Sequence, residues 1–166
     1  MKEVTSFLAG IAKPEEDIAG VFFTYPETHL EVEIFPISTE DHQRMLDLCR
    51  QESPMKGFRG KDVSYDMPRL NRMLAEKSIG RIRGATIGSL KKIMFIDPVA
   101  LEGMRASGKL ELKDGEKITD ATPVKLEKED GIYLFLNKPL FKLWVDDQQG
   151  RTTVYNAAIE GQALKN

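Results

Sequence analysis

Two residues of the nucleophile and base types, His42 and Cys49, lie seven positions apart in one predicted helix. Seven residues are close to two helical turns, so both side chains fall on the same side of that helix. The spacing suits either a nucleophile–base pair or two metal ligands. Cysteine also packs as a small hydrophobic residue, and a buried thiol beside a half-exposed imidazole is the simpler interpretation. We therefore predict no catalytic residue here.

The other chemically suggestive residues form no complete site. One cysteine and two histidines, His29 and His42, are a poor supply of ligands for structural zinc. In the segment 80–89 glycines recur every fourth residue around two arginines, which is neither a P-loop nor a dinucleotide-binding fingerprint. A basic turn between helices is the expected structure of that segment, and a phosphate-binding loop before a helix start is the alternative. The sequence therefore predicts no metal, no cofactor and no enzymatic activity.

Charge is distributed unevenly along the 166 residues, whose overall composition is that of an ordinary globular protein. Residues 1–55 hold 11 acidic and 4 basic residues, a net charge of −7. Residues 56–92 hold 3 acidic and 10 basic residues, a net charge of +7, and residues 93–166 carry −2. The middle of the chain is thus basic between two acidic flanks.

This basic middle is consistent with two arrangements. It forms either a phosphate-binding face for nucleic acid or a set of cations that pair internally with the acidic N-terminal third. No aromatic residues alternate with the cations, as single-strand binding would require, which favours internal pairing. The residues of the nucleic-acid alternative are Lys56, Arg59, Lys61, Arg69, Arg72, Arg81, Arg83, Lys91 and Lys92.

The elements that must position these residues begin with a β element over residues 1–37. Leu30, Val32 and Ile34 alternate with two glutamates, the two-residue period of a strand with one wet face. A second apolar run, over 18–25, precedes it across a short turn. Two such runs around a short turn predict a β-hairpin.

Cap and proline signals predict short amphipathic helices over residues 38–105. Ser38 caps a helix expected to run from Thr39 to Glu52, after which 55–62 is predicted to be a loop. Three further helices are predicted to start in this region. The second starts at Asp66 with Pro68, the third at Thr86 or Ser89, and the fourth at Asp97 with Pro98.

Residues 106–126 are expected to be either a polar excursion or a small hairpin around Asp114 and Gly115. Helices are predicted again over 127–149, divided or kinked at Pro139, and 150–166 is predicted to be a marginal tail, either a marginal helix or frayed. The whole chain is therefore predicted to be a single α+β domain, mostly α, in which an N-terminal β-hairpin precedes a bundle of short amphipathic helices.

One apolar stripe in the C-terminal helices is consistent with either core or partner contact. An aromatic residue near a chain end, followed by a polar tail, is typical of an interaction anchor. The predicted partner-binding residues are Leu140, Phe141, Trp144 and Val145. The sequence has neither a signal peptide nor a twenty-residue apolar span, so we expect a cytoplasmic protein without membrane contact.

The order of segments resembles the tail assembly chaperones of long-tailed bacteriophages and their prophages, including the Bacillus-prophage type. The matched features are the strand and turn at 30–38, the helix start at 39–41 and the charged helix over 70–79. The closing residues of the match are Leu136, Asn137, Phe141, Trp144 and Val145. The resemblance covers Glu31 to Val145.

This resemblance implies a small non-catalytic protein that keeps tape-measure and tail-tube subunits soluble while a phage tail assembles in the bacterial cytoplasm. It implies protein partners rather than nucleic acid, and a homo-oligomer is possible. Methionine is flexible and suits adaptable binding surfaces, although each methionine equally suits a core. Those available at predicted helices and loops are Met45, Met55, Met67, Met73, Met94 and Met104.

Overall fold

Strands and helices alternate along the chain, which the computed structural model describes over residues 19–54 and 60–163. Within these residues there are five strands and seven helices. The strands are β1 (Val21–Thr24), β2 (Glu31–Ile34), β3 (Arg50–Pro54), β4 (Lys61–Tyr65) and β5 (Ile79–Arg83). The helices are α1 (Thr39–Cys49), α2 (Met67–Ser78), α3 (Ile87–Lys91), α4 (Pro98–Ala106), α5 (Lys128–Asn137), α6 (Pro139–Gln149) and α7 (Thr152–Ala163).

The α+β class is confirmed, with most of the regular structure helical and a hairpin near the N-terminus. β1 and β2 form that hairpin, and β5 pairs antiparallel with the other side of β2. β3 and β4 form a separate two-stranded sheet. Residues 1–18 of the predicted N-terminal β element lie outside the described residues.

Local capping signals place the helix starts correctly. The side chains of Ser38, Asp66 and Asp97 each accept a hydrogen bond from the backbone N–H three residues further on, and so begin α1, α2 and α4. Thr86 begins α3 in a reciprocal capping box with Ser89. α5 and α6 are separate helices because Pro139 starts the second.

The region 38–105, predicted to contain helices joined by loops and turns, contains three strands. α1 ends at Cys49 rather than Glu52, and the chain continues directly into β3. β4 begins inside the predicted loop 55–62, and the predicted basic turn at 80–89 begins with the last four residues of β5. These predictions were wrong because each strand is stabilised by a partner strand rather than by a strong apolar alternation of its own.

The C-terminal part of the chain is also more ordered than expected. Residues 106–126 fold back so that Leu110 and Val124, both buried, form an antiparallel bridge; this one bridge replaces the predicted small hairpin. The predicted marginal tail contains α7, whose Tyr155 packs against Phe23 with ring centroids 5.8 Å apart. Burial raises the pKa of Tyr155 to about 12.

The main core lies between the inner face of the β1–β2–β5 sheet and the helices α5 and α6. Its fully buried side chains include Leu30, Ile34, Phe135 and Phe141. Gly131 lets α5 approach the sheet, because a Cβ there would lie 2.8 Å from both Ile79 Cγ2 and Ile82 Cδ1. A second, smaller cluster joins α1 to α2.

No helix in the described part of the chain combines the length and the hydropathy that crossing a bilayer requires.

Candidate partner-binding groove

An apolar groove of about 390 Å³ lies between α3, α4 and α5. Its volume lies within the range of protein pockets that hold ligands or side chains of partners. We call it the α4 groove. Its apolar lining residues are Leu90, Met94, Ile96, Ala100, Met104, Leu126 and Leu134.

One wall of the α4 groove is a helix with no buried residue. α4 contributes Ala100 and Met104 to the lining, while its Val99 is 80% exposed. Phe95, which lies between the lining residues Met94 and Ile96 in the chain, is 87% exposed. Large exposed apolar side chains next to an apolar groove are typical of a protein-interaction site.

An ion pair lies in the lining of the α4 groove. Lys109 Nζ donates to Asp130 Oδ2 at 2.8 Å, and each side chain is about one-third exposed. This hydrogen bond raises the pKa of Lys109. Asp130 also accepts a hydrogen bond from the backbone N–H of Glu127, so α5 holds the carboxylate in place. The groove therefore combines apolar walls with a fixed charged pair.

The partner-binding residues predicted from sequence are divided between core and surface. Phe141 and Val145 have no exposed surface, because α6 turns this face towards the sheet. Trp144 is half-buried, with its ring centroid 5.0 Å from that of Tyr25. Leu140 is 76% exposed. Of the four predicted residues, Leu140 and part of Trp144 are available to a partner in this structure.

The central cations of the predicted basic face cover the outer side of the main sheet. Arg81 pairs with Glu33, and Arg83 Nε donates to Glu31 Oε2 at 2.7 Å. The Arg83 guanidinium also lies 3.7 Å from the ring centroid of Phe22, a cation–π arrangement. Both glutamates belong to the acidic N-terminal third, so the two oppositely charged segments meet in the sheet.

The other described cations of that face also have partners. Lys56 and Arg59 lie outside the described residues. The contacts are Lys92–Glu27 at 3.4 Å, Lys91–Asp120 at 2.7 Å, Arg72–Glu76 at 2.9 Å, Lys61–Glu52 at 2.9 Å, and Arg69 Nη1 to the carbonyl of Leu48 at 3.1 Å. Carboxylates next to these cations weaken their attraction for phosphate.

His42 and Cys49, the candidate nucleophile–base pair, are in different environments. Cys49 is 1% exposed within the smaller cluster, and its Sγ lies 3.8 Å from Met73 Sδ. His42 is exposed and lines a surface depression that also contains Lys142. Among residues 19–54 and 60–163, no group of three or more histidines, cysteines or carboxylates is placed to hold a metal ion.

Sequence reasoning missed the α4 groove, although it noted the adaptability of Met94 and Met104, which both line it. A second signal was the apolar run Ile93–Ile96 directly before the cap at Asp97, which is too short to form an element alone. Met45 is buried and Met67 is exposed, both outside the groove, and Met55 lies beyond the described residues.

Comparison with protein-family models, with curated proteins and with solved structures finds no match to this chain. The α4 groove is therefore defined by the chain's own geometry. Its features are the apolar lining and the fixed Lys109–Asp130 pair, and the exposed Phe95 and Val99 are chain neighbours of lining residues.

Proposed function

We propose that this protein is a non-catalytic chaperone of the phage tail assembly type, whose α4 groove transiently binds an apolar helix of a tape-measure or tail-tube subunit. The observation that carries the proposal is the exposure of Phe95 and Val99, 87% and 80% respectively, each next in the chain to residues that line the groove. The order of segments, which resembles that family, supports the choice of partner.

The chemistry of the α4 groove suits an amphipathic helix. Such helices bind by inserting apolar side chains at helical spacing into a hydrophobic groove, and Met94 and Met104 can adapt to different side chains. Burying the side chains of Phe95 and Val99 under a partner would contribute about 1.5–3 kcal/mol each. The Lys109–Asp130 pair supplies a charged group that orients the partner. A binding free energy of this magnitude makes the complex reversible, and a chaperone that releases its subunit requires reversible binding.

The proposal is tested by measuring binding of the purified protein to the tape-measure and tail-tube proteins of the same genome. Phe95→Asp places a charge between the lining residues Met94 and Ile96 in the chain, and Leu140→Asp is the matched control because Leu140 is similarly exposed, on α6. We expect Phe95→Asp to weaken binding at least about tenfold and Leu140→Asp to leave it unchanged.

The reverse result would assign partner binding to α6 instead of the α4 groove. Failure of the unmodified protein to bind either subunit would contradict the proposal as a whole. The alternative function is nucleic-acid binding by the basic 56–92 segment. It predicts that partners recovered with the protein are lost after nuclease treatment, and that the binding affinity falls steeply as the salt concentration rises.

A further inference from the structure

The hairpin of β3 and β4 is a two-stranded sheet in the described part of the chain. No third strand from the described residues joins this sheet. All five residues of β4 are exposed, including the apolar side chains of Val63 and Tyr65, which are 41% and 42% exposed. A two-stranded hairpin is marginally stable by itself in water, and an unpaired strand edge is a template for another strand.

The hydrogen-bonding pattern determines which backbone groups face the outer edge of β4. The Asp66 N–H donates to the Cys49 carbonyl at 2.8 Å, and this pair directly precedes the opposed pair of Arg50 and Tyr65. Hydrogen-bonded and non-hydrogen-bonded pairs alternate in an antiparallel ladder, so the Arg50–Tyr65 pair is non-hydrogen-bonded. The outward-facing N–H and C=O groups of β4 are therefore those of Lys61, Val63 and Tyr65.

The outer edge of β3 is blocked where that of β4 is open. By the same alternation, the outward groups of β3 belong to Arg50, Glu52 and Pro54. The Arg50 N–H already donates to the Asp47 carbonyl as the C-cap of α1. Pro54 has no N–H, and proline within a strand is a common protection of a sheet edge. Of the two strands, β4 is the one whose outward donors and acceptors meet no partner among residues 19–54 and 60–163.

We propose that the outer edge of β4 pairs antiparallel with β4 of a second copy of this chain, with Val63 of each copy opposite Val63 of the other. The pairing would extend the two-stranded hairpin to a four-stranded sheet across the two copies. Lys61, Val63 and Tyr65 would exchange up to six backbone hydrogen bonds with the same residues of the second copy.

The register follows from symmetry and charge. A two-fold antiparallel strand pair places residues of the same face opposite each other, so it must be centred on a residue. Centring on Asp62 opposes the two Asp62 carboxylates, and centring on Ser64 opposes Asp62 to Asp66 of the other copy. Both registers are destabilised by like charges.

Centring on Val63 removes every like-charge opposition within β4. It opposes valine to valine, the Asp62 carboxylate to the Ser64 hydroxyl, and the Lys61 ammonium to the Tyr65 ring. Lys61 is 71% exposed while it pairs with Glu52, so its ammonium is accessible to that ring. The Lys61 ammonium facing the Tyr65 ring at both ends, with no like charges opposed, is the electrostatic match that favours a second copy as the occupant of the edge.

The expected dimer is weak and depends on concentration. A five-residue strand pair buries far less than the roughly 1,200–2,000 Å² of a stable complex. Self-association should therefore be measured up to about 1 mM chain. Because β4 is not part of the α4 groove, this inference can fail while the proposed chaperone function holds, and the reverse is equally true.

Single-cysteine variants test the register directly. In the proposed dimer the two Cα atoms of residue 63 are about 5.5 Å apart, within disulfide range. The two Cα atoms of residue 62 are offset along the strands by two positions and lie about 8 Å apart, which is beyond that range. The same holds for the two Cα atoms of residue 64. Under mild oxidation we expect Val63→Cys to form a covalent dimer at least about tenfold faster than Asp62→Cys or Ser64→Cys. The unmodified chain, whose Cys49 is buried, measures the background.

A charge exchange at the centre tests the symmetry. Val63→Lys and Val63→Glu each oppose like charges, so the dissociation constant should rise about fivefold or more in either variant. An equimolar mixture should recover association, because lysine then opposes glutamate. Sedimentation measures the association of each variant and of the mixture. Thermal unfolding checks that each exposed substitution leaves the fold intact. Equal cross-linking at 62, 63 and 64, or a monomer at about 1 mM, would overturn the inference.

Discussion

Arg81 and Glu33 are joined by three hydrogen bonds across the two neighbouring strands β5 and β2. The Arg81 backbone N–H and Nε donate to Glu33 Oε2 at 3.1 and 2.9 Å, and Nη2 donates to Oε1 at 3.1 Å. Glu33 is 8% exposed, so its carboxylate relies on these donors in place of water. The hydrogen bonds from the Arg81 side chain are the largest cause of a lowered Glu33 pKa, against the opposing effect of burial.

The first prediction is that Glu33 makes stability depend on pH in the acid range. A carboxyl group whose pKa is lowered by folding contributes its full stabilisation above the unfolded value of 4.5, and loses it as pH falls through the folded value. Glu33→Gln should cost about 1–2 kcal/mol at neutral pH. It should also flatten the fall in melting temperature between about pH 6 and pH 3.

Circular dichroism melts of both proteins across that pH range provide the measurement. Glu31→Gln is the control, because the Glu31 side chain is 35% exposed against 11% for Glu33 and its pairing with Arg83 therefore contributes less. Parallel pH curves for the unmodified protein and Glu33→Gln would contradict the assigned role of Glu33.

The second prediction concerns the space beside this pair. A Cβ on Gly80 would lie 2.7 Å from both Glu33 Oε2 and Phe35 Cε2, so both side chains must move. We expect Gly80→Ala to destabilise the protein by about 1–3 kcal/mol. Gly103→Ala, in α4, meets no atom within 4 Å and should stabilise by up to about 1 kcal/mol. Urea unfolding measures the free energy of unfolding of both variants. Equal values for the two variants would show that the sheet tolerates a methyl group at Gly80.

The third prediction separates core from surface in α6. Trp144 packs against Tyr25 and Phe141 at centroid distances of 5.0 and 5.6 Å. Trp144→Ala should therefore lower the free energy of unfolding by about 2–4 kcal/mol. Leu140→Ala, at an exposed position of the same helix, should change it by less than about 0.5 kcal/mol. If Trp144→Ala left unfolding unchanged and abolished partner binding, tryptophan would be an anchor instead of a core residue.

The fourth prediction is that the Cys49 thiol is protected in the folded protein. It lies 1% exposed among Met45, Leu70 and Met73, so a thiol reagent reaches it only after local or global opening. Labelling should be at least about a hundredfold slower than in the same chain unfolded in urea. Rapid labelling of the native protein would restore the hypothesis of an accessible nucleophile.

Features that depend on neighbours in sequence were predicted well. Ser38, Asp66 and Asp97 cap helices because each side chain binds an N–H only three residues away. Proline at residue 139 divides two helices for an equally local reason, its missing N–H. The first hairpin followed from the alternation in β2. These signals established the α+β class without knowledge of tertiary contacts.

Pairings between distant segments were not predicted. β5 has the pattern Ile-Gly-Arg-Ile-Arg, in which the arginines resemble a solvated turn until Glu31 and Glu33 of β2 lie beside them. β3 and β4 carry few apolar residues and are defined by their mutual hydrogen bonds. Such strands are formed by partners that a local pattern does not contain.

The sequence by itself determined where helices begin, where proline separates them, and that an acidic and a basic segment are available to pair. Tertiary structure alone decided that Arg81 meets Glu33, that Phe141 is core while Leu140 is surface, and that α3, α4 and α5 enclose a groove. The physical reason is the separation along the sequence of the groups that interact. Caps and turns are set by groups within four residues, whereas burial and pairing depend on which distant segments pack together.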